Sequence, residues 1–487
     1  MKKLRFLSGL ALASILFMSV DCTGFGVNNG GGGEDLEPMP SLQPEDQKVK
    51  LEKVAIKMLE KCPAEDMEGM VDLLNNFSDD YEDKFDDYDF SALLDFCENV
   101  FDESYSESYT RIYDEAKKEY ITKSVLNFTI ALANHKGEFT FGPNAVEKVS
   151  SNFNGVKLNI PIDGETYVAK LTTSGEVTTA KYNYSYYSRD EDYSGYYDEE
   201  TGEYVYVDGG LTRVYDEKCN IKIDVPENIE VGIYDGKNSP VATVSVKMTK
   251  SFNAAGLDPS TDNFNAKITV YFNNGYEFVF DKITYDGVTN KGGHQFAVKK
   301  DGIALVSSSS SYTADIVNTV YKHEGSNYEC EYSSVELKSA KEINVSVDIL
   351  GEVQVKGKCS NAKEAAEAIE NYYDALSNWD NETGNRKNPD EASAMRYLNN
   401  LNAKLDLGVY YNGSSQRYAK VEFEMDKYSY EWDDYYYYDL LPVIVFEDGS
   451  RYTLEDFFTE EAFDGLLDEL EGFADDYDTL LGTIYIE

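Results

Sequence analysis

Residues 180–210 read AKYNYSYYSRDEDYSGYYDEETGEYVYVDGG. Tyr182, Tyr184 and Tyr186 recur at period two, and so do Tyr204 and Tyr206. On an extended chain that spacing puts each set of rings on one face. Between them, DEDYSGYYDEETG (residues 190–202) is acidic and carries Gly and Ser, which reads as the loop of a hairpin. Two tyrosine-rich strands joined by a polar loop set the expected class: antiparallel sheet.

The pattern extends outward. GEFTFG, GVKLNIPI, TYVAKLTTS, NIKIDV, ATVSVKMTK, AKITVYFN, EFVFDKITY, INVSVDILG and EVQVKGK alternate in the same way between Gly, Asn and Asp turns. Residues 125–360 are therefore expected to be an antiparallel β region. Upstream, KVKLEKVAIKMLEKC places Val49, Leu51, Val54, Ala55, Met58 and Leu59 at helical spacing. DFSALLDFCENVF reads as another helix and SYTRIYDEAKKEYITKS as a further one, so 46–124 is expected to be a helical module. Residues 361–487 mix NAKEAAEAIENYYDALSNW and NPDEASAMRYLNNLNAKL helices with RYAKVEFEMD and LLPVIVFEDG strands and an acidic helical end. The expected fold class is α+β, a sheet-rich antiparallel body with helices toward both ends.

The first residues have another purpose. A basic start, Met1-Lys2-Lys3-Leu4-Arg5, precedes an apolar run from Phe6 to Val20, too short for a comfortable membrane span. Residues 1–21 read as an export signal. Cys22 follows, then a Gly/Asn/Pro-rich stretch to residue 45 that cannot bury a core and reads as a flexible tether. Ordinary signal cleavage near Ser19, leaving Cys22 a plain thiol, is the alternative to lipid attachment at Cys22.

The Lys2-Lys3 start, Cys22, the tether and KVKLEKVAIKMLEKCPAEDMEGMVDLLNNFSD (48–79) resemble the acidic, tyrosine-rich envelope lipoproteins of the Bacteroidota. Asp21 departs from the Gly, Ala or Ser usual before the lipid-bearing cysteine. The resemblance implies export and anchoring at the outer membrane through Cys22. It implies no activity, and it leaves open whether the periplasmic or the cell-surface face is occupied.

The chain has 90 acidic and 44 basic residues, a formal charge of −46. Losing Lys2, Lys3, Arg5 and Asp21 with the signal leaves 89 and 41, or −48. Such a surface repels phosphate backbones and argues against nucleic acid as a partner. After Cys22, five thinly spread cysteines remain. Cys62 and Cys97 are the best disulfide pair, with five buried thiols as the alternative.

Catalytic motifs are not legible. His135, His294 and His323 stand apart in turn-like settings, and no GxSxG or HExxH occurs. Calcium is the one cofactor suggested. Asp190, Asp192, Ser194 and Asp198 fall at calcium-loop spacing around Gly195, but Thr201 stands where the bidentate Glu belongs and the flanks read as strands. The 40 tyrosines are the second signal. Tyr182, Tyr184, Tyr186, Trp432 and Tyr436 are candidate ligand contacts, since exposed rings beside carboxylates suit sugar faces or a protein partner. Tyrosine is also simply a good sheet residue. Three functions follow as expectations. A non-catalytic binding lipoprotein, with a glycan or protein ligand, requires an exposed aromatic face. A carrier of an apolar molecule requires a dry cavity. A hydrolase requires two buried carboxylates facing each other.

Overall fold

The computed structural model describes residues 42–68, 90–132, 136–162, 165–198, 203–324, 328–380, 385–429, 436–459 and 461–481. Cys22, the tether and Trp432 lie outside them.

Strands dominate. The first group is β1 (Phe101–Asp114), β2 (Glu119–Leu132), β3 (Gly137–Phe141), β4 (Val146–Ser150) and β5 (Val156–Ile162). The long hairpin is β6 (Glu165–Asp198) with β7 (Glu203–Tyr234). A meander follows: β8 (Pro240–Ser251), β9 (Asn263–Phe272), β10 (Tyr276–Asp286), β11 (Lys291–Lys300), β12 (Ile303–Glu324), β13 (Tyr328–Ile349) and β14 (Val353–Cys359). The last group is β15 (Trp379–Asp380), β16 (Asn385–Arg386), β17 (Leu405–Tyr411), β18 (Ala419–Tyr428), β19 (Tyr437–Phe446) and β20 (Arg451–Thr453). The helices are α1 (Pro44–Leu59), α2 (Phe90–Asn99), α3 (Ala362–Leu376), α4 (Glu391–Lys404), α5 (Leu454–Phe457) and α6 (Asp464–Leu481).

The strands form one connected sheet apart from the small β15–β16 pair. Pairing is antiparallel except at β2–β7 and β3–β5. Strands β6 to β13 pair in succession, and β13 returns to β6 through Tyr332↔Tyr186 and its neighbours, which closes a circuit of eight strands. β1 and β2 attach to β7, and β3–β5 attach to β6. From β13 the sheet continues through β14, β17, β18, β19 and β20.

Alternation decides where helices pack. In β18 and β19, Ala419, Phe423, Met425, Leu440, Ile444 and Phe446 share a face and meet the helices. The reverse face carries Glu422 and Glu424, both bound by Arg451 at 2.9 and 2.7 Å. α3 and α4 start on side-chain caps, Asn361 accepting from the Glu364 amide and Asp390 from the Ser393 amide. They bury Ala368, Tyr372, Ala394, Leu398 and Leu401 against one end of these strands. α1 and α6 pack at the other end around Phe457 and Phe463.

The helical module expected over 46–124 is not a unit. α1 docks on strands more than 350 residues later, where the Gln47 amide donates to the Tyr418 carbonyl at 3.2 Å. α2 packs Phe96 on Phe139, in a separate cluster with Phe141 and Leu158. Residues 101–132 are the β1–β2 hairpin, so the β region begins at Phe101 and not at 125. The helix-forming run DEAKKE misleads there. It makes the turn, with Asp114 Oδ1 accepting from the amides of Ala116 and Lys117 and Lys118 at φ 53. The flanking Tyr/Ser/Thr/Ile alternation is what pairs. TYVAKLTTS and AKYNYSYYS likewise form one strand, interrupted by a bulge where Gly175 takes φ +81. KGGHQFAVKK and IALVSSSSSY, unread as strands, are β11 and the start of β12.

Candidate functional site

Residues directly opposed in a ladder share a face, so the register locates the tyrosines. Three rows cross the layer β1–β2–β7–β6. They are Tyr105–Phe128–Ile221–Tyr182, Glu107–Leu126–Cys219–Tyr184 and Tyr109–Ser124–Glu217–Tyr186. The last row runs on through Tyr332 to Tyr321. Tyr321 and Tyr332 stack, with centroids 5.3 Å apart and planes 21° off parallel. Tyr105 is 63 % exposed, Tyr109 62 % and Tyr182 40 %. The Tyr105 hydroxyl donates to Glu107 at 3.0 Å, which pushes its own ionisation upward.

The reverse face differs in kind. Ser106, Asn127 and Asn220 form a hydrogen-bonded line there. The segment after β8 crosses it, its Ala254 and Ala255 carbonyls accepting from Lys181 and Asn183 at 2.7 and 2.8 Å. One side of the layer is thus aromatic and open, and the other is polar and partly covered.

Tyr182, Tyr184 and Tyr186 are brought together as the spacing implied. Tyr436 is not with them. It is exposed before β19, with Lys427 Nζ 4.0 Å from its ring centre, beside the stacked pair Tyr428–Tyr437. The stretch read as a calcium loop is ladder up to Asp198: Asp190 opposes Arg213, Asp192 opposes Leu211 and Ser194 opposes Val207. The side chains of Asp190, Asp192, Ser194 and Asp198 lie outside the described residues. Among the described residues no three His, Cys, Asp or Glu side chains converge on a metal position.

The expected Cys62–Cys97 disulfide is not formed, and both are free thiols. α1 and α2 dock in different clusters, which separates them. Burial pushes the Cys62 thiol up, and its carbonyl accepts from Tyr477 at 3.2 Å. His294, expected in a turn, sits within β11 with Nδ1 3.1 Å from Ser310 Oγ. Among the described residues the most buried carboxylates do not face each other. Glu119 pairs with Lys117 and Arg189 at 3.5 and 3.6 Å, while Asp262 accepts from the amides of Asn253 and Asp258 at 2.7 Å.

A second feature was not legible beforehand. Two adjoining clefts, of about 840 and 1010 Å³, share Ser311, Glu342 and Asn344 in their walls. Together they form a trough on one face of the meander. Its central row is Asn265–Thr284–Gly293–Ser311–Asn344–Lys358–Asp406, across seven strands from β9 to β17. Six strand spacings give about 29 Å. The next row is Gln295–Ser309–Ser346–Lys356. Asn344 Nδ2 donates to Ser311 Oγ at 3.0 Å and to Glu342 at 2.9 Å.

The trough's charges balance. Its walls carry five lysines, Lys250, Lys291, Lys299, Lys356 and Lys358. They also carry five acids, Asp281, Asp286, Glu342, Asp348 and Asp406. Several are paired: Lys358 with Glu342 at 2.9 Å, Lys267 with Asp281 and Arg417 with Asp406.

Ion pairing sets an acid limit on stability. Hydrogen bonds hold Glu138 (from Lys157), Asp281 (from Lys267), Glu342 (from Asn344) and Glu422 (from Lys420) below the usual carboxylate range. Each adds stability above its unfolded pKa, about 4, that is lost as pH falls through the lower folded value. Self-repulsion of the excess acids fades over the same descent. Tm is therefore expected to rise slightly from pH 7 to about 5 and to drop below about pH 4, read by thermal melts across that range.

Compared with known proteins, the chain matches no family model and no curated sequence.

Proposed function

We propose that this chain is a non-catalytic envelope lipoprotein that binds a protein partner through its open tyrosine face. Cys22 holds it at the outer membrane, and the tether sets the folded body off from the lipid. The supporting observation is the aromatic layer itself: exposed Tyr105, Tyr109 and Tyr182 on a face that continues through Tyr184, Tyr186, Tyr332 and Tyr321. Tyrosine combines large contact area with low conformational entropy, and it is enriched where interfaces are energetically strong. The face is broad, about 24 Å across six strands, and lies apart from both clefts. Edge strand β1, paired only with β2 among the described residues, extends the contact with free backbone groups. No described helix is long and apolar enough to cross a membrane, and the lipid reading supplies the anchor.

Photo-crosslinking side chains placed at Tyr109 and Tyr182 in the full chain, in cells, test this. Ser106 and Asn127, on the reverse of the same layer, are the controls. One discrete protein adduct from Tyr109 and Tyr182 alone is expected. No adduct, or equal adducts from both faces, would overturn the reading.

A further inference from the structure

We propose that the trough is a second, separate binding site, for a neutral, linear, polyhydroxylated chain: an oligosaccharide laid across the strands. Three observations carry this. The first is shape, because the two clefts adjoin at Ser311, Glu342 and Asn344 along one row of residues that spans about 29 Å of sheet. That is the shape of a chain and not of a compact metabolite. The second is charge. Acids outnumber bases two to one in the whole sequence, yet the trough walls hold five of each. A cationic ligand would find three of the five carboxylates already ion-paired and Asp286 and Asp348 holding neutral donors, and an anionic one would cross a strongly acidic surface to reach balanced walls. The third is lining chemistry. Ser307, Ser309, Ser311, Ser346, Thr284 and Asn344 present half-buried hydroxyls and an amide, groups that both donate and accept. Sugar hydroxyls need that pairing at every ring. An extended peptide would want apolar side-chain pockets between these positions, and the two central rows carry polar residues at every position but Gly293.

A wet sheet face also tolerates serine and threonine. It does not require two adjoining clefts along one row, nor Asn344 donating to both Ser311 and Glu342.

The test uses the full lipidated chain in non-ionic detergent. It is passed over immobilised linear β-1,4-glucan, β-1,4-mannan, β-1,4-xylan and α-1,4-glucan, with heparin and an unstructured neutral peptide alongside. Binding to at least one neutral polymer is expected, unchanged between low and high salt. Asn344→Leu should weaken it at least roughly tenfold, since unmatched sugar hydroxyls are costly in a partly dehydrated groove. Ser309→Leu, at a half-exposed position, should do the same without lowering Tm and covers the case in which Asn344→Leu fails to fold. Tyr105→Ser with Tyr109→Ser should leave this binding intact, so failure here and failure of the tyrosine-face reading are separable. Retention by no neutral polymer, by heparin or the peptide alone, or equally by both trough variants would overturn the proposal.

Discussion

Phe457→Ala is expected to destabilise the protein by about 3–5 kcal/mol, the range for deleting a fully buried ring. Phe457 is 1 % exposed. Its ring meets Phe446 of β19 at 5.4 Å, Phe458 at 5.1 Å, Tyr452 of β20 at 6.1 Å and Phe463 at 6.4 Å. Lys48 of α1 reaches to 5.4 Å from its centre. The cavity would therefore open where α1, α6 and the edge of the sheet meet: the ring neighbours are local in sequence, while Lys48 and the rest of α1 come from about 400 residues earlier. Chemical denaturation measures the loss. Hydrogen exchange locates it: protection should fall over 44–59 and 464–481 and hold in β6 and β7. A loss under about 1 kcal/mol would mean that the site collapses freely and that this cluster does not hold the termini together.

Gln47→Leu is expected to cost about 2–4 kcal/mol although it adds apolar surface. Gln47 is 1 % exposed and its amide is fully used. Nε2 donates to the Leu42 and Tyr418 carbonyls at 3.1 and 3.2 Å, and Oε1 accepts from the Tyr411 hydroxyl at 3.0 Å. Tyr411 and Tyr418 are themselves buried, edge to face at 5.1 Å, and burial drives the Tyr411 hydroxyl far above its ordinary ionisation. Leucine would orphan the Tyr411 hydroxyl in a dry site and remove the donor to the Leu42 and Tyr418 carbonyls. Tyr411→Phe in the same chain removes one orphan, so the double variant should regain about 1 kcal/mol or more over Gln47→Leu alone. Strict additivity of the two changes would show that the hydroxyl does not depend on Gln47.

The two residues mark a divide in what was legible. The runs NAKEAAEAIENYYDALSNW and NPDEASAMRYLNNLNAKL made α3 and α4 legible, and the helices begin at Asn361 and Asp390 because each side chain meets a free amide within three residues. Gln47 gave no such signal. A polar residue in KVKLEKV territory looks solvent-facing, and only a partner more than 350 positions away buries it. The trough was hidden for a related reason. Five serines and a Gly-Gly pair have little intrinsic preference for strand, so IALVSSSSSY and KGGHQF carry no strand signal of their own. They pair because β10 and β13 offer ladders on either side. The thiols show the converse: a Cys62–Cys97 bridge was compatible with the expected export, and docking of the helices beside them in separate clusters keeps them apart.

By itself the sequence determined the class and the sidedness of the central hairpin. Alternation is a property of neighbouring residues, so Tyr182, Tyr184 and Tyr186 share a face whatever surrounds them. Which face stays open was decided by the tertiary structure. The segment after β8 bonds to Lys181 and Asn183 on the reverse side, and β13 pairs with β6 at Tyr186, carrying the row on to Tyr332 and Tyr321. Exposure, closure of the strand circuit and the trough all depend on contacts between residues far apart in the chain, and local pattern carries no record of those.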